Sequence, residues 1–325
     1  MLIIGASDVR SLLPVADCID IMERAMRAVS AGHASIPDRI AMPLEQGLGY
    51  FFQMPGSVAE LPVYGSKMVS LHPGNRALGE PTVQGFVTLF DRATGRPVAL
   101  VDGAAITARR TAAASALATR ELARADARSH GLFGAGVLAV AHIDAVSCVR
   151  EIDEIRVWAR NHDKALKFAA EQSDRTGSRV IAVEQPEKAA ACDIVSLVSN
   201  SSEPLLRGRW LNPGSHLNLV GAHKPRHRET DSDTAVRSAI YVDSLASALR
   251  EAGDLLIPLE QGRIGRDDIL GEIGQVLNGD VPGRRDPAQI TLYKSLGIVT
   301  QDLYAAEHVY RCALEQGLGT QVDFD

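Results

Sequence analysis

The chain is short of cysteine. Its 325 residues contain four, Cys18, Cys148, Cys192 and Cys312, and no two of them form a CxxC pair. This spacing signals neither a disulfide framework nor a zinc site, and no metal ligand is assigned. No apolar run approaches the roughly 20 residues that a bilayer span needs. The opening "MLIIGASDVRSLLP" lacks the basic segment and cleavage site of a secretory signal. Lysine and arginine form no block, and the net charge is −6, so nucleic acid is not an expected partner. Internal repeats and low-complexity segments are also missing. What remains is an ordinary globular composition, 46% hydrophobic and 23% charged, over a length that favours two domains. The expected compartment is the reducing cytoplasm, with no membrane association.

The first third reads as a helix followed by a sheet. "SDVRSLLPVADCIDIMERAMRAVSAG" opens on a Ser cap signal, repeats Cys18, Ile19, Met22, Met26 and Val29 at helical spacing, and closes at Gly32. Short apolar segments broken by Gly and Pro follow: "IPDRIAMPL", "GYFFQMPGSV", "YGSKMVSLHPG", "VQGFVTLFD" and "PVALVDG". They predict an antiparallel or mixed sheet, with "DRATGRPVA" as a hairpin connection. From Ala104 the Ala-rich run "AAITARRTAAASALATRELAR" predicts a helix against which another element packs closely. After Ser129 strand-like runs alternate with helical ones: "GLFGAG", "EIRVWAR", "RVIAVE", "DIVSLVS", "HLNLVG", "AIYVDS" and "GIVTQD". That rhythm predicts βαβ units in a doubly wound parallel sheet. A final amphipathic helix, "DLYAAEHVYRCALEQG", ends the pattern.

"GLFGAGVLA" places Gly134, Gly136 and Ala139 in the order G-x-G-x-x-A, between a strand and a helix that starts near Val137. The first Gly permits the tight turn, the second lets backbone approach a pyrophosphate, and the small third residue lets helix and strand pack closely. Helix N–H groups then face the anion. An NAD enzyme usually carries Asp or Glu at the tip of the next strand. Here "VWARNHD" offers Ala159, Arg160 and Asn161. Arg160 pairs with a 2′-phosphate that a carboxylate would repel, so NADP is favoured over NAD. Asn161 is equally readable as a helix cap, Arg160 as a solvated cation, and Asp163 as a ribose contact.

Three basic residues stand in apolar or Pro/Gly surroundings: Arg39 in "IPDRIAM", Lys67 in "VYGSKMVSLHPG" and Arg110 in "TARRTAAAS". Burying such a cation is costly without an anion, and converging cations make a carboxylate clamp. The alternatives are surface charges or internal salt bridges. In "HLNLVGAHKPRHRETD", His223 follows a predicted parallel strand and is a candidate proton donor. His216 reads as a hydrogen-bonded strand residue, and His227 and Arg228 as a solvated loop.

At this point the sequence resembles the ornithine cyclodeaminase/mu-crystallin family over nearly its whole length. The resemblance rests on "SKMVS", "VDGAAITARRTAAASALAT", "GLFGAGVLAVAH", "IRVWARN", "PGSHLNLVGAHKPRHRETD", "YVDSLASALREAGD" and "LYKSLGIVTQD". Of these, "ITARRTAA" and "KSLG" are the most specific. The resemblance implies an α/β protein. A Rossmann dinucleotide-binding domain over residues 114–302 joins a substrate-binding and dimerisation domain over 1–113, completed by a helix over 303–325. It also implies a homodimer. By family pattern Arg39, Lys67 and Arg110 hold a substrate carboxylate, and Thr111 faces the cofactor phosphates. Ser199, Val220, and Ser295 to Gly297 line the nicotinamide pocket.

Family chemistry is diverse, but its enzymes share hydride transfer between nicotinamide and the α-carbon of an amino or imino acid. Cyclodeaminases carry Asp where this chain has His223, which argues against ornithine cyclisation. His223 instead suits proton donation or a second carboxylate, with His72 and Arg76 as further substrate-facing candidates. A pocket rich in cations and poor in acids would favour a dicarboxylic imine such as iminosuccinate. The expected protein is an imino acid reductase using NAD(P)H, with Lys67 or His223 handling the proton. Pyrroline- or piperideine-2-carboxylate and the imine of a 2-oxo acid are further substrate candidates. The alternatives are an ornithine cyclodeaminase and a non-catalytic, crystallin-like cofactor binder.

Overall fold

Pro14 splits what periodicity predicts as one N-terminal helix. The computed structural model describes residues 1–323, the side chain of Arg76 excepted. After strand β1 (Leu2–Ile4) come helices α1 (Ala6–Leu12) and α2 (Val15–Ser30). Pro14 lacks an N–H and takes the cap position of α2, where no donor is needed. Gly5, not Ser7, caps α1. Helix α2 buries Cys18, Ile19, Met22, Ala25 and Met26 on one face, and Gly32 follows it at φ 76°.

The chain divides into two compact units, Met1–Arg110 with Gly297–Asp325, and Thr111–Leu296. In the first, β2 (Ala34–Ser35), β3 (Ile40–Pro43), β4 (Tyr50–Val58), β5 (Val63–Leu71), β6 (Val83–Asp91) and β7 (Pro97–Asp102) follow α2. Strands β4 to β7 form an antiparallel meander whose register sets Lys67 opposite Met54 and Val87. Between β6 and β7, Asp91 accepts bonds from Thr94, and Gly95 takes φ 73° in the predicted hairpin. Helix α3 (Gly103–Leu122) then carries the chain from the first unit into the second.

The second unit contains β8 (Ser129–Phe133), α4 (Val137–Val149), β9 (Glu154–Trp158), α5 (His162–Thr176), β10 (Arg179–Ala182), α6 (Pro186–Ala190) and β11 (Ile194–Leu197). It continues with β12 (His216–Leu219), α7 (Ser232–Val236), β13 (Ser238–Val242), α8 (Leu245–Glu251), α9 (Gly253–Glu260), β14 (Ile269–Glu272), α10 (Ile273–Asn278) and β15 (Ile290–Lys294). Every pairing in its sheet is parallel, in the order β10-β9-β8-β11-β12-β15-β13-β14. The order reverses at β8, and that switch point opens a crevice at the strand C-termini. This is the doubly wound, Rossmann-type α/β fold.

One face of this sheet is polar and buried. His130 bonds Ser196, His142 bonds Ser115, and His216 bonds Thr291 and Asn218, whose amide reaches Thr119. Burial pushes the imidazole pKa down to about 3 for His130 and His216 and about 4 for His142. His216 is the hydrogen-bonded strand residue expected of it.

The chain returns to the first unit through α11 (Val299–Gln316) and β16 (Thr320–Gln321). That sheet is completed in the order β16-β1-β7-β6-β5-β4-β2, with β3 paired to β4. This corrects one expectation: "GIVTQD" is not a strand. The strand lies one segment earlier, at "ITLYK", and Val299 already begins α11. Residues Val299 to Ala306 are all buried, so no polar face is left to display a helical period. Among the described residues no helix is long and apolar enough to cross a membrane.

Candidate functional site

In the first unit, strand alternation puts Lys67 on the same face of β5 as Gly65. Helix α11 crosses that face. A side chain at Gly65 would meet Leu303 at 3.3 Å and the Thr88 carbonyl at 1.9 Å, so the glycine permits the close approach. Lys67 Nζ therefore lies 3.0 Å from Asp302 Oδ1 in the first turn of α11. Arg110, from α3, donates through Nε to the same oxygen at 3.1 Å and through Nη1 to Gln301 at 2.7 Å. Arg39 Nη2 donates to the Gly297 carbonyl at 3.0 Å. Gly297 has φ 78°, and a Cβ there would meet Arg110 Nη1 at 2.5 Å. The last glycine of "KSLG" is thus required by both its backbone and the guanidinium against it.

Two cations here share one carboxylate, and Arg39 is close enough to act on Lys67. The Lys67 and Asp302 side chains are 4% and 0% exposed. Burial lowers the Lys67 pKa to about 8. Asp302 opposes that fall, and Arg110 and Arg39 add to it. Asp302 Oδ2 is buried without a hydrogen-bond partner. A cluster of this kind suits a second anion, and its lysine can release a proton near neutral pH.

Sequence reasoning found Arg39, Lys67 and Arg110 but missed Asp302 and Gln301, because that segment reads as a strand. The missed signal was the need of buried Lys67 and Arg110 for a counter-charge. Asp302 adds one acid to a group of residues expected to be rich in cations. His72 lies just past the end of β5, half-buried, and contributes no bond to the cluster. The side chain of Arg76 lies outside the described residues.

The second unit carries the glycine turn. Gly134 has φ 132°, and a Cβ there would press on the Val198 carbonyl at 3.0 Å. Gly136 caps α4 with no side-chain bond to the first turn, and nothing lies within 4 Å of its would-be Cβ. The N–H groups of α4 thus face open space beside a bare backbone, which fits a pyrophosphate. Val137 is 74% exposed beside this space, while Ala139 is buried. Arg160 is exposed just past the tip of β9. Asn161 is committed as the cap of α5, accepting from Lys164 N at 2.9 Å. Thr111 is buried at the start of the unit.

At the C-terminal ends of β11 and β12, Val220 is buried and Ser199 half-buried. His223 is half-buried, its Nδ1 3.2 Å from the Gly221 carbonyl. Ser295, just past β15, is buried, and its Oγ has no partner. Gly297, expected among the cofactor contacts, falls within the first unit, beside Arg39 and Arg110. Arg228 is not a solvated loop residue: it is half-buried and donates to Ser232.

A doubly wound parallel sheet with an open glycine turn, joined to a β-rich unit with a buried cation cluster, defines a Rossmann-type protein of two units. The family model described as ornithine cyclodeaminase/mu-crystallin matches residues 1–317, and the chain belongs to that family. It is 32% identical over 326 residues to a Delta(1)-pyrroline-2-carboxylate reductase of Bacillus cereus, covering 100% of both chains. It is also similar to the solved Thermococcus litoralis Delta(1)-pyrroline-2-carboxylate reductase in complex with NADH and L-proline. There the TM-score is 0.96 and the identity 37%, over 99% of this chain and 100% of that one. An archaeal alanine dehydrogenase dimer with bound NAD gives a TM-score of 0.94 at 30% identity, over 100% of this chain and 99% of that one.

Proposed function

We propose that this protein reduces a cyclic α-imino acid of the pyrroline-2-carboxylate class to the L-amino acid, using NADH or NADPH. The observation that carries the reading is the convergence of Lys67, Arg110 and Arg39 about the single carboxylate of Asp302 and the Gly297 turn. The two pyrroline-2-carboxylate reductases named above support the cyclic substrate.

Arg39 and Arg110 bind the substrate carboxylate. Arg110 Nε and Nη1 are already aligned by Asp302 and Gln301, so the guanidinium is pre-organised and its Nη2 takes no part in those bonds. When bound, the nicotinamide supplies the hydride. The imine carbon accepts the hydride, and the nitrogen accepts a proton to become the secondary amine. Lys67 donates that proton, and its lowered pKa eases the release. Asp302 keeps the ammonium oriented until then. His223, in the turn after β12, is a second proton carrier. Ser199, Val220 and Ser295 flank the nicotinamide, Gly134, Gly136, Val137 and Ala139 form the pyrophosphate turn, and Thr111 serves the phosphates. Arg160 favours NADPH through its 2′-phosphate, whereas the solved relatives named above carry NADH or NAD. The four cysteines are all unpaired, as suits the cytoplasm.

The test is oxidation of NADH and of NADPH with pyrroline-2-carboxylate, piperideine-2-carboxylate, and ammonia with oxaloacetate or pyruvate. Turnover is expected to be fastest with a cyclic imine. Release of proline and ammonia from ornithine with catalytic NAD would overturn the reading in favour of cyclodeamination. Binding without turnover of any imine would leave a crystallin-like binder.

A further inference from the structure

Past the ends of β11 and β12 lies a buried network that the chemistry above does not use. Glu229 is fully buried, and both of its oxygens are occupied. Oε1 accepts from Ser199 N at 2.8 Å and Ser199 Oγ at 2.6 Å, and Oε2 accepts from Gly221 N at 2.7 Å. Gly221 must be glycine, since a Cβ would sit 2.6 Å from each carboxylate oxygen. Glu229 is itself held from behind. Asp254 Oδ1 accepts from Glu229 N at 2.8 Å and from Thr230 N at 3.0 Å. Asp254 Oδ2 pairs with Lys294 Nζ at 3.0 Å, and Lys294 donates to the Ala222 carbonyl at 2.6 Å. Gly253 lets α9 approach so closely, because any side chain there would strike the His227 carbonyl at 2.0 Å. The turn leading to His223 is thus gripped at the Gly221 N–H and the Ala222 carbonyl, by two arms that meet at Asp254.

We propose that Glu229 is a positioning residue for hydride transfer, tying the Ser199 and Gly221–His223 turns into the surface against which the nicotinamide lies. This rests on the dinucleotide reading given above. Two backbone N–H groups and the Ser199 hydroxyl face the carboxylate, and its ionised form accepts from all three. The groups around it are Asp254 of α9, Lys294 at the end of β15, Ser199, and His223 in the gripped turn. Burial, then Asp254, raise its pKa to about 7, against the opposing pull of Ser199 and Lys294. Protonation at Oε2 puts an O–H against the Gly221 N–H and loosens that turn. Turnover therefore falls as pH drops through about 7.

The experiment first measures NADH and NADPH binding to the wild type by nicotinamide fluorescence. Failure to bind either refutes the dinucleotide reading itself. With binding established, Glu229→Gln is expected to change the dinucleotide Kd by less than about threefold, since the Gly134–Ala139 turn is untouched, and to lower kcat by about 10- to 100-fold. Its remaining activity is expected to lack the acid limb. An unchanged kcat, or an acid limb that survives in Glu229→Gln and vanishes in His223→Gln, overturns the proposal. So does a weakened Kd at unchanged kcat, which would make Glu229 a determinant of affinity alone. If Glu229→Gln does not fold, Glu229→Asp carries the same measurements. It keeps the charge but is too short to reach both turns, so kcat is expected to fall and an acid limb to remain. Wild-type kcat in Glu229→Asp would equally overturn the proposal.

Discussion

At the scale of single residues, the site turns on how one carboxylate is shared. Asp302 Oδ1 serves both Lys67 and Arg110, while burial keeps the lysine from being an ordinary surface ammonium. In this role Lys67 must be protonated, so kcat is expected to fall as pH rises through about 8. Asp302 is the group that holds that pKa up. Asp302→Asn should therefore move the alkaline limb to lower pH, and a limb that stays in place would separate Asp302 from the proton. Lys67→Ala should abolish turnover while NADH binding survives, and retained turnover would remove Lys67 from the mechanism. The cations were legible in the sequence because a Lys or Arg among apolar neighbours demands an explanation. Their partner was not, because the contact between residues 67 and 302 exists only once β5 and α11 are packed.

Among elements, the glycine turn between β8 and α4 separates backbone need from ligand need. Gly134 carries a φ of 132° and abuts Val198, so Gly134→Ala should cost about 1–3 kcal/mol of stability. Gly136 has ordinary extended angles and open space before it. Gly136→Ala should leave thermal unfolding within about 0.5 kcal/mol of wild type yet weaken dinucleotide binding. Equal binding by both proteins in a fluorescence titration would mean that no phosphate approaches this backbone. The turn was readable because G-x-G-x-x-A carries its geometry in consecutive residues. The start of α11 was not, since Val299 to Ala306 are buried on every side and show no period. Likewise, Pro14 was visible as a residue, but only the fold shows that it separates two helices.

For the whole molecule, the sheet of the first unit leaves Ile40 and Met42 of β3 exposed, at 56% and 49%, together with Leu48 and Phe86. Such a group of apolar side chains would be covered if the chain pairs with a second copy, as the family resemblance implies. Light scattering should give twice the chain mass, and Ile40→Lys with Met42→Lys should halve it; a monomeric wild type would refute the dimer. The sequence by itself determined the parallel α/β unit, the strand-rich segment before it, the glycine turn and the family. Each of these is written in local period, turn chemistry or contiguous motif. Only the tertiary structure decided that the chain leaves its first unit at Arg110 and returns at Gly297, that Asp302 neutralises part of the cation cluster, and that Glu229 braces the turns beside His223. Those pairings join residues far apart in the chain, and their energies come from burial and hydrogen-bond satisfaction that no local pattern records.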